Sequence, residues 1–141
     1  MRQRVSLFAA ALWWGSLTAI GAVAVPLLFA WLPTPADAGR MAARLFTAQT
    51  WISVGCGFLL LLATREKHAP ARMDAARGAL IFIVAGMLLA LLVEFAVAPR
   101  IVARENLRLW HTAGSAMYLV QWLCAGVVLW KLGSRTQPPH N

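Results

Sequence analysis

The sequence predicts an all-α, polytopic membrane protein whose single domain, residues 1–141, consists of four transmembrane helices. Three observations carry that expectation. Four apolar runs, Val5–Leu32, Leu45–Thr64, Gly78–Ala98 and Leu109–Trp130, are each about 20 residues or longer, the length an α-helix needs to cross a hydrocarbon core of about 30 Å. The chain is 60% apolar and 13% charged with a mean hydropathy of +0.66, which leaves too little polar surface to cover a water-soluble domain of this size. None of the runs alternates apolar and polar residues as a barrel strand does, and backbone groups in lipid must bond within their own segment, so helices follow.

The first run begins after Met1-Arg2-Gln3-Arg4 and is about twice the length of a signal-peptide core, so it reads as an uncleaved anchor rather than a leader cut after Ala22-Val23-Ala24. Pro26 is expected near the outer surface, with Leu27–Leu32 as an interfacial cap. Thr34-Pro35-Ala36-Asp37 has the pattern of a helix start: a capping hydroxyl, proline at the first helical position, and an acid near the positive end of the dipole. Helix 2 therefore begins outside the hydrocarbon. At about 100° per residue, Gln49, Thr50, Ser53, Cys56 and Gly57 share one face of this second span. Ala79, Gly86, Ala90 and Glu94 share one face of the third, which ends at Ala98-Pro99. His111, Gly114, Ser115, Tyr118, Gln121 and Ala125 share a face of the fourth. On span 1 the expected packing face is Ala11, Gly15, Thr18, Ala19, Ala22 and Pro26, because small residues four apart let helices approach closely in lipid. The other faces meet lipid, with Trp13, Trp14, Trp31, Trp51, Trp110 and Trp130 near interface depth.

Spans 1 and 3 run into similar strings, Ala22-Val23-Ala24-Val25-Pro26 and Glu94-Phe95-Ala96-Val97-Ala98-Pro99. Spans 2 and 4 carry Cys56-Gly57 and Cys124-Ala125-Gly126 at comparable places. These echoes point to two helix hairpins in tandem.

The net charge of +8 reads as topology and contact with anionic lipid rather than nucleic-acid binding, since no basic domain projects from the spans. Arg2, Arg4, Arg65, Lys67, Arg72, Arg77, Lys131 and Arg135 fall on one side; Arg40, Arg44, Arg100, Arg104 and Arg108 fall on the other. The excess places both termini in the cytoplasm. Arg100, Arg104 and Arg108 recur every four residues, and on a helical loop they form a continuous basic stripe that, with Arg40 and Arg44, collects lipid phosphates or an anionic ligand.

Chemistry-bearing side chains within the spans are few. Glu94 lies about one and a half turns below the surface marked by Pro99, where a lone charge is costly and marks a functional hypothesis. His111 and Gln49 are expected at similar depth, so Glu94, His111 and Gln49 converge on an outward-facing polar pocket with Ser115, Tyr118 and Gln121 beneath. The alternative is a structural lock in which Glu94 accepts a hydrogen bond from His111 or a loop arginine. Cys56 and Cys124 form no C-x-x-C pair and read as reduced packing residues, leaving a Cu(I) site with Met87 or Met117 as a remote option. His111 is the sole histidine in a span, with His68 and His140 outside, so one chain cannot supply a haem with a histidine pair. No catalytic fingerprint occurs, and no catalytic residue, metal site or cofactor is expected.

The strings Leu12-Trp13-Trp14-Gly15-Ser16, Val25-Pro26-Leu27-Leu28-Phe29, the Ala38-Gly39 turn before Leu45-Phe46, Ala98-Pro99-Arg100 and Trp110-His111, in that order and spacing, resemble the DUF4149 family of small four-span proteins, which is similar to the TMEM205 transmembrane proteins. The resemblance covers most of the chain. It implies a bacterial inner-membrane protein, brings no established activity, and carries over Pro26, Phe29, Gly39, Phe46, Pro99 and His111 as motif positions. Tyr118 departs from it, standing where a smaller polar amide is expected.

Two functions remain. One is a small-molecule or ion binding protein of permease type; four helices leave little room for a pore, so a homo-oligomer built on the small-residue faces is expected. The other is a non-catalytic accessory protein that packs against another membrane protein. Membrane lipids are partners in both, and nucleic acid in neither.

Overall fold

The computed structural model describes residues 2–64 and 70–134, with side chains described for 3–63 and 78–134. Span 1 is a continuous helical column of three parts: α1 (Arg2–Thr18), a π-helical segment (Ala19–Ala24) and α2 (Val25–Trp31). Span 2 is α3 (Pro35–Thr64). Span 3 is α4 (Pro70–Leu92), a π-helical turn (Val93–Val97) and α5 (Ala98–Val102). Span 4 is α6 (Leu107–Gly133). Four stretches of 29, 29, 25 and 27 residues are long and apolar enough to cross a membrane, so the chain is a multi-pass membrane protein. Consecutive spans pack on one another, and span 1 also packs on span 4, which closes an up-down-up-down bundle. One end carries the two short turns, 32–34 and 103–106; we refer to it as the turn end, and to the opposite end, with the chain termini, as the terminal end. Arg65, Lys67, His68, Arg72, Arg77, Arg135 and His140, assigned by the sequence to the terminal end, lie outside the described residues and side chains.

The start of span 2 is as its sequence dictates. Thr34 Oγ1 accepts the Asp37 backbone N–H at 3.1 Å, a cap that satisfies one donor the first turn leaves orphaned, and donates to the Asp37 carboxylate at 2.6 Å, which holds the hydroxyl in place. Helix therefore runs straight through Ala38-Gly39, which is not a turn. The break between spans 3 and 4 is tighter than a helical loop. Arg104 and Asn106 have positive φ values of 56° and 35°, and the Asn106 side chain caps α6 through the Leu109 N–H at 3.4 Å. This breaks the expected stripe of Arg100, Arg104 and Arg108.

Both π-segments end two residues before a proline, Pro26 and Pro99. A proline has no N–H to donate, and its ring crowds the carbonyl four residues back. The ladder responds by slipping one position: the Val25 N–H bonds to the Ile20 carbonyl and the Ala98 N–H to the Val93 carbonyl. The two echo strings thus produce the same local structure in both hairpins.

The packing face of span 1 differs from expectation. Ala11, Ala19, Ala22 and Pro26 are exposed, and the buried side is Ala9, Ala10, Trp13 and Leu17. Trp13, placed by the sequence among interface tryptophans, is 0% exposed. The smallness needed for close approach is supplied across the diagonal: a Cβ on Gly86 of span 3 would lie 2.7 Å from the Trp13 ring. Large into small satisfies the same demand for contact as small against small. Leu60, Ile83, Ala125, Val128 and Cys56 complete an apolar core that fills the terminal half of the bundle.

Candidate functional site

Polar side chains concentrate in the turn-end half, in two layers. The outer layer is Glu94, held in the π-turn of span 3 and half-buried. Its carboxylate accepts from the Thr47 hydroxyl of span 2, at 2.9 Å to one oxygen and 3.2 Å to the other. One O–H proton thus serves two acceptor oxygens. Among the described residues the ion pair is Arg40 with Asp37, on the surface, and Glu94 has no cationic partner.

The inner layer is one turn deeper and buried. Gln49 Nε2 donates to Ser16 Oγ at 3.1 Å and to Ser53 Oγ at 3.2 Å, while Gln121 Nε2 donates to Ser53 Oγ at 2.8 Å. Spans 1, 2 and 4 are joined there by amides and hydroxyls, which in lipid hold helices together where apolar contact gives little net attraction. Two further bonds tie span 4 to span 1: Tyr118 OH donates to the Leu17 carbonyl and Trp122 Nε1 to Thr18 Oγ1, both at 2.8 Å. Ser16 and Thr18 in turn donate to the carbonyls of Trp13 and Trp14, so each hydroxyl is used in both directions. Tyr118 also packs edge-on against Phe46 at 5.3 Å.

The structure therefore brings together part of the expected site. Gln49, Gln121 and Tyr118 face the interior with Thr50 and Ser53. Glu94 is present at the rim but pairs with Thr47, not with His111, a loop arginine or Gln49. His111 and Ser115 are exposed on the outside of span 4. In this structure Glu94 and His111 do not pair: the Glu94 carboxylate is turned to the Thr47 hydroxyl of span 2, and the His111 side chain is exposed on the outside of span 4. Thr47, Ser16, Thr18 and Trp122 were not anticipated. Thr47 lies three residues before Thr50, so extending the polar face of span 2 by one turn reaches it.

The arginines differ among themselves. Arg40 is committed to Asp37, and Arg100 donates to the Ala96 carbonyl at 2.7 Å while stacking 4.5 Å over the Trp110 ring. Arg44, Arg104 and Arg108 are exposed at the turn end. Cys56 and Cys124 are free and buried. An open groove of about 780 Å³ between spans 1 and 4, lined by Trp14, Trp122, Trp130 and Gly126, is apolar and lies toward the terminal end. It touches none of the expected site residues, and a lipid-facing groove of this kind carries no chemistry by itself.

Among known protein families, the model described as "Domain of unknown function (DUF4149)" matches residues 8–109. No curated protein and no solved structure matches the chain.

Proposed function

The chain belongs to the DUF4149 family, and from that premise we propose that it is a small-solute binding protein of permease type, with its site in the turn-end half of the bundle and Glu94 as the group that attracts a cationic solute. The observation that carries this reading is the Glu94 carboxylate itself, half-buried, served by a single hydroxyl from Thr47 and without a cationic partner among the described residues. A carboxylate so placed in a membrane span is costly to maintain unless a ligand uses it. Its seat in a π-turn agrees, since such bulges recur at functional sites. The apolar core at the terminal half closes the other side, so the site opens in one direction only. Arg44, Arg104 and Arg108 hold lipid phosphates around the entrance; the charge asymmetry supports a reading with this end outside and both termini cytoplasmic, and the bacterial inner membrane is what the family resemblance implies.

The test is a thermal-stability screen of the purified protein against alkali cations and small amines, read by a thiol-reactive dye that reaches Cys56 and Cys124 only on unfolding. A stabilising solute is expected for the wild type, with the effect lost in Glu94→Gln. A panel without any hit, or a hit retained in Glu94→Gln, removes the reading. Reporter fusions at the C-terminus test the orientation.

The accessory reading draws on a different observation, the exposure of His111 and Ser115 on the outer face of span 4. A partner helix that covers them would co-purify in native nanodiscs and be lost in His111→Leu with Ser115→Leu.

A further inference from the structure

The open groove of about 780 Å³ between spans 1 and 4 has a hydrogen-bond donor in its wall. Trp14 and Trp122 stand side by side there, with ring centroids 5.5 Å apart and planes at 34°, but their indole N–H groups differ. Trp122 Nε1 is spent on Thr18 Oγ1 at 2.8 Å, whereas Trp14 Nε1 has no acceptor among the described residues. Gly126 keeps that donor uncovered: a Cβ at position 126 would lie 3.0 Å from Trp14 Nε1, and both residues line the groove. The half-buried Trp14 thus presents an N–H to a space open to lipid, where hydrocarbon offers it no acceptor. Phospholipid ester carbonyls stay at the headgroup boundary and do not reach it, because Gly126 lies about 12 Å along α6 from Ser134 at the terminal end.

We propose that this groove binds a flat, uncharged, lipid-soluble ring carrying a carbonyl oxygen, the chemistry of a quinone. The Trp14 N–H donates to the carbonyl. Trp14, Trp122 and Trp130 supply ring faces against which a flat guest stacks, and Gly126 and Gly133 leave the floor between them without side chains. The volume falls within the range of about 300–1,000 Å³ usual for small-molecule sites. No charged side chain lines the groove, so an ion would lose its hydration there without compensation. An acyl chain matches the groove in shape but leaves the N–H unmet; a ring carbonyl satisfies both demands. The site is separate from Glu94 and lies toward the opposite end of the bundle, so it stands or falls independently of the solute proposed there.

The test uses the full-length protein in nanodiscs with ¹⁵N-labelled indoles. The chain has seven tryptophans, and the Trp14 resonance is assigned by its disappearance in Trp14→Phe. Duroquinone is compared with durene, the same tetramethylated ring without the carbonyls. The expected result is a saturable downfield shift of the Trp14 indole proton with duroquinone, and binding of durene weaker by about two- to tenfold for the lost hydrogen bond. Trp14→Phe keeps an aromatic wall and removes the donor, so it is expected to erase that preference, followed at the Trp122 indole. Gly126→Val fills the floor and is expected to abolish binding of both probes; should this variant not fold, the two probes on the wild type and on Trp14→Phe decide alone. The proposal is overturned by a Trp14 resonance that responds to neither probe, by equal affinity for the two, or by a preference retained in Trp14→Phe. All seven indoles moving in parallel, the mark of simple partition into the bilayer, overturns it as well.

Discussion

Replacing Gly86 with alanine tests the contact on which the centre of the bundle depends. The added Cβ would sit 2.7 Å from two atoms of the Trp13 ring and 3.5 Å from the Cys124 Cβ. Carbon atoms in good contact are about 3.5–4.0 Å apart, so the ring must retreat by about 1 Å. It has nowhere to go, because Trp13 is 0% exposed, and overpacking of that kind costs about 1–3 kcal/mol. Helix propensity acts in the opposite direction, favouring alanine by up to about 1 kcal/mol. Gly15→Ala isolates that second effect, since nothing lies within 4 Å of a Cβ at position 15. The difference between the two variants is therefore the overpacking cost alone, about 1–3 kcal/mol, with Gly86→Ala the less stable. Unfolding by SDS in mixed micelles, followed by dye access to Cys56 and Cys124, measures both. Trp13→Phe removes the atoms that collide, so Gly86→Ala should cost less in that background, with a coupling of about 0.5–3 kcal/mol. Equal stability of the two alanine variants, or strict additivity with Trp13→Phe, refutes the account of Trp13 as a side chain seated in the gap at Gly86.

Three further outcomes are expected. Ser53→Ala should destabilise the micelle-solubilised protein by about 1–3 kcal/mol, more than Ser16→Ala, because it strips the shared acceptor from both Gln49 and Gln121. Tyr118→Phe removes one bond, to the Leu17 carbonyl, and should cost only about 0.6 kcal/mol, as single interhelical hydrogen bonds in lipid do; a loss above about 2 kcal/mol would show that the hydroxyl does more. Thr34→Ala should cost about 0.5–2 kcal/mol and raise amide exchange at Asp37 and Ala38, whereas Thr34→Ser should retain the cap.

The spans, the cap at Thr34 and the interior face of span 2 were legible because each follows from a local rule. Length against bilayer thickness, a hydroxyl before proline and an acid, and a polar run at helical spacing need no knowledge of neighbours. Span 3 was legible for the same reason, with Ala79, Gly86 and Ala90 all buried. Span 1 was not. Its wheel was turned toward small residues, while the close approach is made by Trp13, and a glycine far along the chain supplies the space. Whether a tryptophan faces lipid or the interior depends on that distant glycine. The candidate site was half legible: Gln49, Gln121 and Tyr118 face the interior as the helical count placed them, whereas His111 and Ser115, counted onto the same face of α6, are exposed toward its turn end. Glu94 lies within the π-turn of span 3, and the left-handed residues Arg104 and Asn106 stand between it and His111, so the phase cannot be counted from one to the other.

The two π-segments also set how the bundle can deform. Spans 2 and 4 are unbroken rods of 30 and 27 residues and occupy one diagonal; spans 1 and 3 occupy the other, and each has a joint in its turn-end third. A slipped ladder before a proline resists bending less than the regular helix on either side. The joints sit at one level, since Gly21 in the first lies against Tyr118 and Val97 in the second lies against Gly114, one turn away along span 4. Compliance in this molecule is thus confined to one diagonal and one height, like a box with two stiff posts and two hinged ones. Tilting the hinged pair outward would widen the space above Gln49 and leave the apolar half beneath it undisturbed.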